Sequence, residues 1–250
     1  SLEPNRSTRT HPEHPRPRRP HRVDGHRTEA SPRDQTLTHP DPKTAARMRA
    51  AHTRARAALH ATATSDPDEA WGWRGRTLSQ SVVTEHGPAW LRLACAPTDR
   101  IAPTFWNGSV DAEQAMPTTL PRPKLRDLYD WSEGPWSYRA ELYEHAPVSA
   151  ISPSGVLTRH VDLAPQWWLG LHGALATVSA VRTQRHTVFQ PFLDHAMPRY
   201  LGEPVATVAP SWSTAHGDLH FANLGAPELI LFDWEGWGMA PTGYDAATLH

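Results

Sequence analysis

The run His216-Gly217-Asp218-Leu219-His220-Phe221-Ala222-Asn223, with Leu229-Ile230-Leu231-Phe232-Asp233-Trp234-Glu235 close behind, narrows what this 250-residue chain can be more than any other stretch. It reads as a polar loop with an Asp and an Asn five residues apart, followed by a strand-like apolar run that delivers a second Asp at its end. Phosphoryl transfer from a magnesium nucleotide asks for such groups. One carboxylate orients the attacking hydroxyl, while an amide oxygen and a second carboxylate hold Mg²⁺ against the phosphates. An oxygen-only donor set suits magnesium, and nothing in the loop calls for zinc.

Gly243-Tyr244-Asp245 follows, its aspartate twelve residues after Asp233. Taken together, His-Gly-Asp-Leu-His-x-x-Asn, Asp-Trp-Glu and Gly-Tyr-Asp resemble the aminoglycoside phosphotransferase family, small-molecule kinases related to choline kinase. The resemblance is densest over residues 211–250, thins back to about residue 70, and does not cover the first sixty. It implies an α+β, two-lobed, protein-kinase-like fold, with a small antiparallel-sheet N-lobe over residues 67–147 and a mainly helical C-lobe over 148–250. It implies ATP and Mg²⁺ as cofactors and a hydroxyl of an aminoglycoside or similar amine as the acceptor. Asp218 then accepts or orients the acceptor proton, and Asn223 and Asp233 hold the metal.

The same resemblance assigns further residues. Arg92 stands where the family places a lysine on the phosphates. Its guanidinium fork is larger and differently directed than an ammonium, so it reads equally as a phosphate clamp or a solvent-facing strand arginine. Glu113, within Gly108–Met116, is the helix glutamate expected to pair with Arg92, on a helix cut short by Pro117. Backbone groups around Glu141–Glu144 would meet the adenine. His216 is expected to fix the loop by hydrogen bonding, and Asp245 to bond the loop backbone from a helix start. Glu235 reads as a carboxylate near the metal or as an exposed acid, and the role of His220 stays open. Other readings are a nucleotide-binding module without turnover, and a metallophosphoesterase, since Gly-Asp-x-His also occurs in two-metal hydrolases.

Charge is unevenly spread. Residues 1–60 hold 13 Lys and Arg against 6 Asp and Glu, and the remainder holds 12 against 20. The acidic body favours a small cationic acceptor over nucleic acid. No run is long enough to cross a bilayer and no apolar leader core stands near the start, so a cytoplasmic protein without membrane association is expected. The lone Cys95 excludes an internal disulfide and reads as a small buried hydrophobe. The chain starts at Ser1 and stops soon after Gly243-Tyr244-Asp245, and so reads as a C-terminally truncated piece.

Residues 1–42 are rich in Pro, Arg, His and Thr, poor in aliphatics, and read as a disordered tail. Asp41 and Pro42 suit a helix N-cap and first position, opening an Ala/Arg-rich helix and linker over 43–66 whose alanine face should pack weakly. Strands are expected at Leu78–Val83 and Ala89–Cys95, joined by a turn at Glu85-His86-Gly87-Pro88, and again at Leu125–Trp131 and Tyr138–Tyr143. Gly72-x-x-Gly75 before the first pair is a nucleotide-covering loop or a simple turn. From Pro165, Leu169, His172, Leu175, Val178 and Val181 mark a helix face at three-residue steps, and Phe189, Phe192 and Leu193 a second helix ending near Pro198. Trp167-Trp168, Trp234 and Trp237 are read as packing residues.

Overall fold

Asp41 and Pro42 begin the first helix as their chemistry requires. In the computed structural model, which describes residues 40–65 and 68–249, helix α1 spans Pro42–Ala58, and the Asp41 carboxylate accepts from the Lys43 and Thr44 amides at 3.0 Å each. The expected tail lies outside the described residues except for 40–42, as do 66–67 at the expected linker end.

The alanine face does not pack weakly. Ala45, Met48, Ala51, His52 and Ala55 are buried, and the apolar ones join one cluster with the sheet beneath. Small side chains let the helix lie close to the strands, where the methyls still leave water. Its arginines cap aromatic rings at the rim, Arg47 lying 3.7 Å from the Trp136 ring centroid and Arg54 5.1 Å from that of Trp131.

The sheet is antiparallel and six-stranded. Its strands are β1 (Thr62–Ala63), β2 (Ala70–Trp71), β3 (Thr77–Thr84), β4 (Gly87–Pro97), β5 (Leu125–Glu133) and β6 (Trp136–Glu144). The order is β1-β3-β4-β6-β5, with β2 also on β3. Glu85-His86 closes the first hairpin, within the turn expected there, and Gly134-Pro135 closes the second. Side chains alternate across the strands. Leu91, Leu93 and Cys95 of β4, with Tyr138, Ala140 and Leu142 of β6, face α1. Arg92 and Glu141 therefore share the opposite face, directly paired in register. Cys95 is buried, and burial pushes its thiol pKa up, as expected of a packed hydrophobe.

On that second face lie α2 (Pro103–Trp106) and α3 (Gly108–Ala115), the latter ending before Pro117 as expected. Arg139 of β6 fixes them, donating to the Trp106 carbonyl at 2.5 Å and to Asn107 Oδ1 at 3.1 Å while bridging Asp130 on β5. A second apolar cluster joins Ala112 and Met116 to α4 (Pro165–Ser179) and to Leu219, Leu224, Leu231, Trp234 and Trp237. The two tryptophans beside Asp233 are thus packing residues, as is Trp167, whereas Trp168 is exposed.

Two helix expectations are corrected. The buried face of α4 is Trp167, Leu171, Ala174 and Val178, while Leu169 is 71 % exposed. Steps of three fall short of a 3.6-residue turn by about 60° each, so five such positions wind off any one face. Helix α5 spans Gln190–Leu201 and passes through Pro198, stopping instead at Gly202 in the left-handed region. The proline sits in the last turn, where a lost amide disturbs little of the helix. Four short strands complete the fold. They are β7 (Ser149–Ala150) paired with β9 (Gly225–Ala226), and β8 (Trp212–Ala215) paired with β10 (Gly238–Pro241), before α6 (Tyr244–Thr248). No helix among the described residues is long and apolar enough to cross a membrane.

Burial of His52 between α1 and β4 yields a stability prediction. Its ring nitrogen lies 3.4 Å from the Leu91 carbonyl, and burial pulls its pKa down to about 4. Between pH 4 and 6.5 the unfolded chain binds the proton and the folded chain does not, so stability should fall as pH drops through that window, by at most about 3 kcal/mol. Urea melts across this range should show a shallower pH slope for His52→Gln than for wild type.

Candidate active site

Strands β8 and β10 pair Ala215 with Gly238, so everything from His216 to Trp237 is one excursion whose ends are hydrogen-bonded together. Two carboxylate contacts set its start. Asp245, 7 % exposed at the opening of α6, accepts from the His216 amide at 2.7 Å and the Gly217 amide at 3.0 Å. This is the backbone contact expected of it. Gly217 is required by conformation and space, with φ at 86° and room for a Cβ blocked by Thr187 Oγ1 at 2.5 Å.

His216 is fully buried, and its Nε2 lies 2.7 Å from the Phe232 carbonyl, which makes Nε2 the donor. Burial lowers its pKa, so the ring is a neutral strut between the two halves of the excursion. The expectation that it fixes the loop agrees with these contacts.

Asn223 makes the second tie. Its amide nitrogen donates to the Asp218 carbonyl at 2.8 Å, and its backbone carbonyl accepts from the Phe232 amide at 2.9 Å. One residue thus brings the Asp218 loop beside the segment that carries Asp233. With the nitrogen engaged, the amide oxygen is the atom left to meet a cation. Asp218 is half exposed, and His220 Nε2 stands 3.9 Å from its Oδ1.

The apolar run before Asp233 is not the regular strand its composition suggests. Leu231 makes one bridge to Leu224 and donates its amide to the Pro121 carbonyl, so Leu229–Phe232 is an irregular arm wedged between two elements. Asp233 itself has φ at 58°. Aspartate tolerates the left-handed region better than most residues, and such backbone often marks functional sites. Partial loss of hydration and then the Glu235 carboxylate raise its pKa above the ordinary carboxylate value, against the pull of Arg92.

Arg92 is the cation beside Asp233. Its guanidinium donates to Glu141 at 3.0 Å on one arm and to Glu235 on the other, with Asp233 at 3.9 Å. Burial disfavours its charge, yet Glu235, Glu141 and Asp233 together hold its pKa well above the usual value. The expected Arg92–Glu113 pair does not form. Glu113 instead accepts from Arg122 at 2.6 Å and from the Leu125 amide at 2.9 Å, tying the end of α3 to the chain entering β5. Arg92 finds its carboxylate on the adjacent strand, where cross-strand register puts Glu141 opposite it, leaving no need for one from the helix.

Two residues here, Arg185 and Gly108, were not singled out by sequence, and they act together with Trp237, which was read as a packing residue. Arg185 donates to the Trp237, Thr104 and Glu235 carbonyls and pairs with Asp111, while its guanidinium stacks 4.8 Å from the Trp237 ring centroid. The Trp237 indole donates to the Gly108 carbonyl at 2.9 Å. At Gly108 a Cβ would lie 2.0 Å from the Glu235 carbonyl oxygen. Together they bolt α2 and α3 to the segment after Asp233. Their sequence signal is slight, since a lone Arg and a lone Gly reveal partners only through distant contacts.

Asp245→Ala would strand two amides, one of them buried, and should cost about 2–4 kcal/mol in chemical denaturation. Gly108→Ala should destabilise comparably by forcing α3 away from Glu235, about 1–3 kcal/mol. Both are read from denaturation midpoints at constant slope.

No family model matches the chain, and no curated protein matches it in sequence. Among solved structures similar to it is a microcompartment-associated aminopropanol kinase, with 14% identity, a TM-score of 0.44, and coverage of 79% of this chain and 73% of that one. Another is a candidate aminoglycoside phosphotransferase from Ralstonia eutropha JMP134, with 15% identity and a TM-score of 0.45, covering 75% of this chain and 65% of that one.

Proposed function

We propose that the chain is an ATP-dependent small-molecule kinase of two-lobed, protein-kinase-like architecture, transferring the γ-phosphoryl group to a hydroxyl of an amine-bearing acceptor. The observation that carries this reading is the double attachment of Asn223, to the Asp218 carbonyl and to the Phe232 amide, which brings the loop of Asp218 beside the segment that carries Asp233. In this reading the sheet with α1–α3 is the nucleotide-binding lobe and the part from β7 onward is the acceptor-binding lobe.

The donor set fits a hard divalent cation. Asn223 presents an amide oxygen, Asp233 a carboxylate whose side chain is 38% accessible, and magnesium binds through one or two carboxylates plus phosphates. A bound Mg²⁺ would neutralise charge on the phosphates being transferred. Asp218, half exposed at the loop's tip, orients the acceptor hydroxyl and takes up its proton. Arg92 offers a guanidinium to phosphate oxygens. Neutral His216 and the Asp245 carboxylate hold the loop so that these groups need no reorganisation when substrate arrives. The acidic balance of residues 61–250, 12 basic against 20 acidic, supports a cationic acceptor.

One observation favours a second reading, a nucleotide-binding module without turnover. Arg92 is already neutralised by Glu141 and Glu235. A two-metal hydrolase has no comparable support, for among the described residues no group of three or more His, Cys, Asp or Glu is arranged to hold a metal.

Calorimetric titration of Mg-ATP separates the readings. Wild type should bind, Asp233→Asn should lose the magnesium-dependent part, and circular dichroism should show both folded. Asp218→Asn should keep binding while phosphorylation of a cationic amino sugar drops about 10²–10⁴-fold. A folded wild type that binds no Mg-ATP sinks the kinase reading, and binding without transfer to any hydroxyl-bearing amine favours the module.

A further inference from the structure

The two arms of Arg92 are held by carboxylates of different kinds. Glu141 is 1 % exposed, sits on the neighbouring strand, and also accepts from the Tyr143 hydroxyl at 2.9 Å. That arm is built into the sheet and has no room to exchange partners. Glu235 keeps 39% of its side chain accessible and grips the other arm from the loop after Asp233. Its backbone is pinned, because its carbonyl accepts from Arg185 at 3.3 Å and lies against Gly108, where no Cβ fits. Only the Glu235 side chain is free to swing.

Charge tells the rest. Glu141, Asp233 and Glu235 surround a single guanidinium, leaving an excess of negative charge where a nucleotide's phosphates would enter. A polyphosphate arriving alone must displace Glu235 from Arg92 and then lie beside the carboxylate it displaced. A polyphosphate arriving with a divalent cation brings the positive charge that the freed carboxylates require.

Resting on the kinase reading, we infer that Glu235 is a specificity-determining residue: it occupies the Arg92 arm that phosphate needs and so makes nucleotide entry conditional on a divalent cation. The chain should therefore discriminate between metal-free and metal-complexed nucleotide more sharply than its metal ligands alone would make it.

The test compares metal-free ATP, in excess EDTA, with Mg-ATP, each titrated into wild type and Glu235→Gln. The variant should bind metal-free ATP about tenfold tighter than wild type, with a smaller change for Mg-ATP, because an ion pair and a repulsion are removed together. Glu133→Gln, which removes the same charge far from the cleft, should show no gain. A further pair isolates the role of Arg92. Arg92→Met/Glu141→Gln removes guanidinium and buried carboxylate together, so that no unpaired buried charge threatens folding, and adding Glu235→Gln to it should yield a much smaller gain. Metal-free binding no tighter in Glu235→Gln, or a full gain that persists without Arg92, overturns the inference and leaves the kinase reading intact. Wild type that binds no Mg-ATP removes both.

Discussion

A guanidinium taken out of water needs a carboxylate, and Arg92 meets that need twice over. One arm bonds Glu141 within the sheet and the other bonds Glu235 on the loop that carries Asp233. The side chain thus joins the sheet to the loop region of the candidate site through a charge that is only 14% exposed. Removing it would leave Glu141 buried and unpaired, a far larger penalty than the loss of a surface ion pair. The geometry of the cleft depends on this one residue remaining charged and in place.

The remaining architecture fixes the loop that faces Arg92. Asp245 holds the loop's first two amides, His216 spans to Phe232, and Asn223 spans to both Asp218 and Phe232. From the other side, Arg185, Trp237 and Gly108 join α2 and α3 to residues 235–237. These contacts are mostly hydrogen bonds to backbone atoms, which position the chain whatever the neighbouring side chains are. The carboxylates of Asp218 and Asp233 take no part in these ties and stay partly exposed, whereas the Asn223 side chain is buried and belongs to the frame itself.

Much of the local structure was legible in the residues. Helix α1 begins where Asp41 can cap it, the first hairpin turns at Glu85-His86, and Pro117 follows the end of α3. Legibility failed where a pattern had more than one reading. Three-residue steps along α4 selected a drifting face rather than the buried one. The apolar run Leu229–Phe232 has strand composition, but contacts with Leu224 and Pro121 leave it irregular. The alanine face of α1 suggested weak packing, because sequence alone does not reveal how closely a sheet will approach.

By itself the sequence determined which chemical groups stand in the candidate loop and their spacing along it, since Asp218, Asn223, Asp233 and Asp245 are close neighbours in the chain and local geometry does much to bring their segments together. The partner of Arg92 was decided only by tertiary structure. Glu113 and Glu141 are both glutamates at plausible distances along the chain, and the choice between them depends on strand register and on the direction in which α3 is held. Cross-strand pairing puts Glu141 directly opposite Arg92, while Arg122 and the Leu125 amide take Glu113. Long-range electrostatic pairing follows where side chains point in three dimensions, and residue spacing carries no record of that.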